Sequence, residues 1–208
     1  MIELFSANTP NAKKISIMLE EINYEYKVTK ININNEEQFK DNFKKISPFS
    51  KTPVIIDHKN DNTIFESGAI LIYLAEQSKK FYNQEDRLRI NQWLMAQMGY
   101  VGPMLGQHHQ FHHYYPGKSK FGEERFFKIS KRIYQELDNR LAVSKFLACE
   151  KYTIADIATF PWIARHEWHD IGLSSYKNLN RWYAEISNRK AVVKGFAFMD
   201  KDEVIPKS

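Results

Sequence analysis

The chain has 208 residues, of which 43% are hydrophobic, 26% charged and 14% aromatic. That balance suits a folded protein with one large core or two small ones and excludes collagen-like, low-complexity and intrinsically disordered chains. The 30 Lys and Arg outweigh the 25 Asp and Glu by a net charge of +5, spread with no basic stripe, which fits a small anionic ligand and gives no sign of a nucleic-acid partner.

In chain order, Ile2, Leu4 and Phe5 open a short strand. Thr9-Pro10-Asn11 then starts a helix, with a hydroxyl at the N-cap and proline at the first helical position. Ile15, Met18, Leu19 and Ile22 recur at helical spacing. Residues 26–33 read as a second strand, and 38–46 place Phe39, Phe43 and Ile46 on one helical face. Residues 53–57 form a short buried strand, 58–62 a polar turn, and 63–66 the returning arm of a hairpin. Ser67 is expected to cap an apolar helix over 68–77. The order β-α-β-α-β-β-α predicts an α/β, thioredoxin-like domain over residues 1–79.

Residues 78–86 are polar and read as a linker. Beyond Arg87 the patterns are almost only helical, which predicts an all-α domain over 87–208. Residues 87–113 look like one long helix bent near Gly99, Gly102 and Pro103. Residues 121–141 are amphipathic through Phe126, Ile129, Ile133 and Leu137. Further helices are expected over 153–169, 179–188 and 191–199. Thr153 and Asp156 make a capping box, with Tyr152 and Ile157 at the hydrophobic-staple positions, a structural device without a chemical role.

Cys149 is the one cysteine, so no intrachain disulfide, CxxC pair or Cys-based zinc site can form. This favours a reducing compartment. The opening Met1-Ile2-Glu3-Leu4-Phe5 does not read as a signal peptide, and no apolar run is long enough for a membrane span. A cytoplasmic protein with no membrane partner is expected.

Four segments, in this order, resemble the cytosolic glutathione transferase family. They are Thr9-Pro10-Asn11; Ser47-Pro48-Phe49-Ser50-Lys51-Thr52-Pro53-Val54; Phe65-Glu66-Ser67-Gly68-Ala69-Ile70; and Tyr152-Thr153-Ile154-Ala155-Asp156-Ile157-Ala158. Gln38-Phe39 and Gly102-Pro103-Met104-Leu105-Gly106-Gln107, followed by histidines, are similar to the family's bacterial disulfide-bond oxidoreductases, the Nu class. A transferase-like regulator from yeast shares part of the pattern. Arg189-Lys190-Ala191 departs from many relatives, which carry proline after the arginine.

The resemblance implies a thioredoxin-like glutathione-binding domain, a helical transferase domain and a symmetric homodimer. Glutathione is then a cosubstrate, with no metal. The Thr9 hydroxyl and the Asn11 amide would face its sulfur as activating groups; Ser6 is a rival hydroxyl. Thr52-Pro53 is cis in the resembled fold and offers the Thr52 backbone to a ligand, as in strand addition. Ser67 and the first N–H groups of its helix suit the γ-glutamyl carboxylate, and Glu66 suits the α-ammonium. Gln38 and Lys51 are candidates for the glycyl end. Arg132 matches a position that in relatives reaches a glutathione carboxylate across the dimer; it reads equally as a surface residue.

No cysteine stands at the start of the first helix, so an enzyme-bound mixed disulfide is excluded and any thiol chemistry uses the ligand's sulfur. His108/His112 and His109/His113 are i,i+4 pairs, a spacing that can bind zinc, yet no HExxH glutamate accompanies them. The reading taken is that His108, Phe111 and His112 line a second-substrate pocket. The expected function is glutathione-dependent reduction of a small disulfide. Transfer of glutathione to an electrophile or reduction of an organic hydroperoxide could use the same site, and a non-catalytic glutathione-binding regulator is compatible with the fold.

Overall fold

Alternating burial along Ile2–Ser6 makes β1, with Ile2, Leu4 and Ser6 turned into the core. The computed structural model describes all residues, Met1–Ser208. Its contacts divide the chain into two units, Met1–Lys80 with Lys190–Val204, and Phe81–Arg189 with Ile205–Ser208.

In the first unit, β1 is followed by α1 (Pro10–Ile22), β2 (Tyr26–Lys30), α2 (Asp41–Lys44), β3 (Val54–Asp57), β4 (Asn62–Phe65) and α3 (Ser67–Ser78). The sheet order is β2-β1-β3-β4. β1 runs parallel to β2 and antiparallel to β3, and β3 and β4 form the expected hairpin. α1 is buried without a break from Ala12 to Leu19, so Lys13 and Lys14 go inside with the apolar residues. The helix expected over 38–46 is instead a 3-10 turn at Glu37–Phe39 and the single short helix α2. Only Phe43 of its apolar residues is fully buried, while Phe39 is exposed.

The last helix, α9 (Lys190–Phe196), lies in the span expected to form the helical domain, yet it packs on α1. Gly195 permits this: a Cβ there would stand 2.5 Å from the Ile17 Cα. Ser16 Oγ donates to the Gly195 carbonyl at 2.6 Å, and buried Lys13 donates to the Phe196 carbonyl at 2.8 Å and pairs with Glu203 at 2.6 Å. The added methyl meets backbone, which cannot swing aside as a side chain could. Gly195→Ala is therefore expected to cost about 2–3 kcal/mol of stability in chemical denaturation.

The second unit contains α4 (Arg87–Ala96), α5 (Gly102–His108), α6 (Lys120–Ala142), α7 (Ile154–Ile163) and α8 (Lys177–Ser187). The long helix expected over 87–113 is continuous helical backbone with wide π turns at Gln97–Val101 and His109–Tyr114. α6 packs against α5 and α8, and α7 against α4, around Tyr134, Phe160 and Trp182. α7 ends at Ile163, earlier than expected, and turns follow it to Asp170. No helix is long and apolar enough to cross a membrane.

Candidate functional site

The sheet register assembles the candidate residues. Phe5 pairs with Thr29 on one side and Val54 on the other, and Val54 pairs with Phe65. One row of the sheet therefore joins the end of β1, the start of β3 and the end of β4. Thr9 and Asn11 follow β1, Thr52 and Pro53 precede β3, and Glu66 and Ser67 follow β4. β2 ends at the same edge, since Ser6 pairs with Lys30, and it leads to Gln38.

Thr9 is the N-cap of α1, and its Oγ1 accepts from the Ala12 N–H at 3.3 Å. A hydroxyl has one hydrogen and two lone pairs, so Thr9 can accept from the helix and donate outward at once. Asn11 lies half-buried in the first turn. That turn carries no acidic residue, so the positive end of the helix dipole is not offset where a thiolate would sit. Ser6, the rival hydroxyl, is fully buried at the end of β1 and donates to the Ala7 carbonyl at 3.3 Å.

The Thr52-Pro53 bond is cis. The loop before it is held by buried Ser47, whose Oγ accepts from the Lys51 N–H at 3.0 Å and donates to the Lys51 carbonyl at 2.8 Å. The Lys51 side chain is exposed. Gln38 is half-buried, with Nε2 donating to the Ile33 carbonyl at 3.4 Å and a buried Oε1 that meets no donor.

Ser67 does not cap α3, as the sequence suggested, but is its first residue. Glu66 holds the cap position at φ 68°, ψ 115°. A non-glycine residue at positive φ is strained, and such strain concentrates at functional sites. The turn leaves the Glu66 carboxylate exposed while Ser67 is buried at the helix N-terminus. Beneath it, the Lys14 ammonium donates to Ser67 Oγ at 3.3 Å. Lys14 was not singled out from the sequence. The available signal was that Ala12, Ile15, Ile17, Met18 and Leu19 leave α1 almost no polar face.

The remaining candidates belong to the helical unit. Arg132 is exposed on α6. His108 is fully buried, its Nε2 donating to the His169 carbonyl at 3.0 Å, so it is a core residue and not the wall of an open pocket. Burial pulls its imidazole down to about 4 and that of His109 to about 3, so both are neutral at neutral pH. Phe111 stacks on Phe126, and half-buried His112 stacks on His108 and Phe127. Cys149 is 9% exposed, donates to the Lys151 carbonyl, and has its thiol pushed up by burial. A buried thiol with a raised pKa is a poor nucleophile.

Known proteins match this chain over nearly its full length. Residues 1–76 match the glutathione S-transferase N-terminal domain and residues 109–190 the C-terminal domain. The chain is 40% identical to the disulfide-bond oxidoreductase YfcG of Escherichia coli, covering 92% of each chain. It is 37% identical to the disulfide-bond oxidoreductase YghU of the same organism, covering 93% of this chain and 73% of that one. A glutathione transferase from Burkholderia graminis, solved with two glutathione molecules bound per subunit, matches with a TM-score of 0.90 at 34% identity, over 96% of this chain and 89% of that one. One from Pseudomonas putida, with one glutathione disulfide bound per subunit, matches with a TM-score of 0.89 at 37% identity, over 95% and 91%. With the N-terminal and C-terminal domain models matched in order over most of its length, the chain belongs to the glutathione S-transferase family.

Proposed function

We propose that the protein is a glutathione-dependent thiol-disulfide oxidoreductase whose reactive sulfur is carried in by glutathione. The observation that supports this most is the sheet row Phe5–Val54–Phe65, which brings the strand ends that lead to Thr9, the N-cap of α1, and Ser67, the first residue of α3, to one edge of the sheet. Names of the relatives point the same way, since two of them are called disulfide-bond oxidoreductases and two solved neighbours hold glutathione or its disulfide.

The roles follow from the chemistry. Ser67 and the N-terminus of α3 take the γ-glutamyl carboxylate, Glu66 takes the α-ammonium, and the Thr52 backbone pairs with the peptide. Gln38 and Lys51 hold the glycyl end. Thr9 and Asn11 hold the sulfur as a thiolate. That thiolate attacks one sulfur of the disulfide; a new S–S bond forms to glutathione, the old one breaks, and half of the substrate leaves as a thiolate and takes a proton. A second glutathione thiolate attacks the mixed disulfide and releases the other half, leaving glutathione disulfide. Two electrons pass from two glutathione thiols to the substrate, and the enzyme's own sulfur takes no part. In a homodimer, exposed Arg132 reaches a glutathione carboxylate of the other subunit.

Turnover of hydroxyethyl disulfide by glutathione tests the proposal. Wild type and Cys149→Ala are expected to reduce it at equal rates. A response confined to conjugation of an electrophile, or loss of activity in Cys149→Ala, contradicts it.

A further inference from the structure

Lys14 is fully buried inside the first unit, on the helix that also carries Thr9 and Asn11. Its ammonium reaches Ser67 Oγ at 3.3 Å. We propose that Lys14 is a positioning residue for the carboxylate site at Ser67, and that ligand binding there is coupled to protonation of this lysine. The inference rests on the reading of Ser67 as the γ-glutamyl carboxylate site.

An ammonium group has only donors, so in the charged state Lys14 donates and the Ser67 oxygen accepts. That sets the polarity of the hydroxyl, turning its hydrogen away from the lysine. A neutral amine carries a lone pair and can draw the same hydrogen inward. The charged state thus favours a donating hydroxyl over a buried cation, the arrangement a carboxylate selects.

The carboxylate of Glu66, at the start of α3, bears on this lysine and favours its charged form. Lys13, next to it on α1, has its own ammonium paired with Glu203. Burial dominates, and pulls Lys14 from its ordinary 10.5 down to about 7. Without ligand the lysine is therefore largely neutral at pH 8. A carboxylate bound at Ser67 Oγ, which Lys14 contacts at 3.3 Å, attracts the ammonium more strongly than the ligand's α-ammonium at exposed Glu66 repels it, so the lysine's pKa rises and binding takes up a proton. Affinity is expected to fall as pH rises from 7 to 8, the interval over which the free protein loses that proton.

The test is calorimetry of S-methylglutathione binding to the full-length protein at pH 8, in buffers of different ionisation enthalpy. This probe has no titrating thiol, and its α-ammonium contributes alike to wild type and Lys14→Met, so the difference in proton count reports on Lys14. Wild type is expected to take up roughly half a proton to one proton per ligand bound. Lys14→Met removes a buried charge for a side chain of similar length. It is expected to fold, to bind about tenfold more weakly at pH 7, and to take up roughly half a proton less per ligand than wild type, or fewer still. Wild-type binding with no proton uptake overturns the role of Lys14 while leaving the glutathione site intact. Equal affinity and equal uptake in Lys14→Met do the same. No binding to wild type at all overturns the glutathione reading itself. If Lys14→Met fails to fold, Lys14→Gln supplies the same difference in proton count and keeps the test decisive.

Discussion

The double variant Thr9→Ala/Asn11→Ala is expected to lose about 100-fold in turnover of a small disulfide while its affinity for glutathione falls only a few-fold. The ionisation part of that loss can be bounded. A free thiol near 8.5 held at about 7 gains about 2 kcal/mol of preference for the thiolate. At neutral pH this raises the thiolate fraction roughly 15-fold, but nucleophilicity falls with basicity and returns about 5-fold of it. Ionisation alone therefore supplies only about threefold, and most of the loss comes from a sulfur no longer held on its line of attack. The acid limb of the rate profile is expected to move from about pH 7 toward 8.5 in the variant. Thr9→Ala alone also removes the cap of α1, worth about 1 kcal/mol of stability, so the comparison is made on folded protein. Equal losses in affinity and turnover, with an unmoved acid limb, would make both residues clamps rather than activators.

Asp156→Ala is expected to destabilise the fold by about 3–5 kcal/mol without changing the chemistry of protein that remains folded. Asp156 is fully buried. Its Oδ1 accepts from the Leu147 N–H at 3.0 Å and from the Trp182 indole N–H at 2.9 Å. Its Oδ2 accepts from the Thr153 N–H at 3.0 Å and the Thr153 hydroxyl at 3.2 Å. One carboxylate thus ties the cap of α7 to α8 and to the segment before α7. Burial pushes its carboxyl up to about 6 against four donors that pull it down, so it is ionised at neutral pH. Alanine leaves an indole and backbone N–H groups buried without acceptors, which costs more than a lost surface cap. The denaturation midpoint is the readout; a change below about 1 kcal/mol would contradict the account.

Features set by short-range rules were legible in the sequence. Thr9-Pro10 caps α1 and Thr153 and Asp156 cap α7 because a cap is decided within four residues. The hairpin of β3 and β4 is likewise local. Tertiary contacts decided the rest. Ser67 reads as a cap, but the exit from β4 puts Glu66 at positive φ and makes Ser67 the first helical residue. No motif within a few residues marks Lys13 or Lys14 as buried, yet Lys13 meets Phe196 and Glu203 from the far end of the chain and Lys14 meets Ser67. The same long-range contacts, with the close approach at Gly195, hold α9 on α1. The histidines near His108 look like ligands by spacing, but His108 and His109 are buried, neutral and stacked in the helical core.

The candidate site divides in the same way. Motifs located Thr9, Asn11, Thr52, Pro53, Glu66 and Ser67, and the register brings them to one sheet edge. Motifs could not show that one of the buried lysines stands under that edge, because its partner lies 53 residues away.

The central claim is that the protein lowers the pKa of a thiol it does not own. Titrating the ultraviolet absorbance of bound glutathione, as a difference from the free tripeptide, measures this directly. The account predicts a bound thiol near 7 in the wild type, returning toward its free value of about 8.5 in Thr9→Ala/Asn11→Ala. A tripeptide that binds with its thiol unshifted contradicts it.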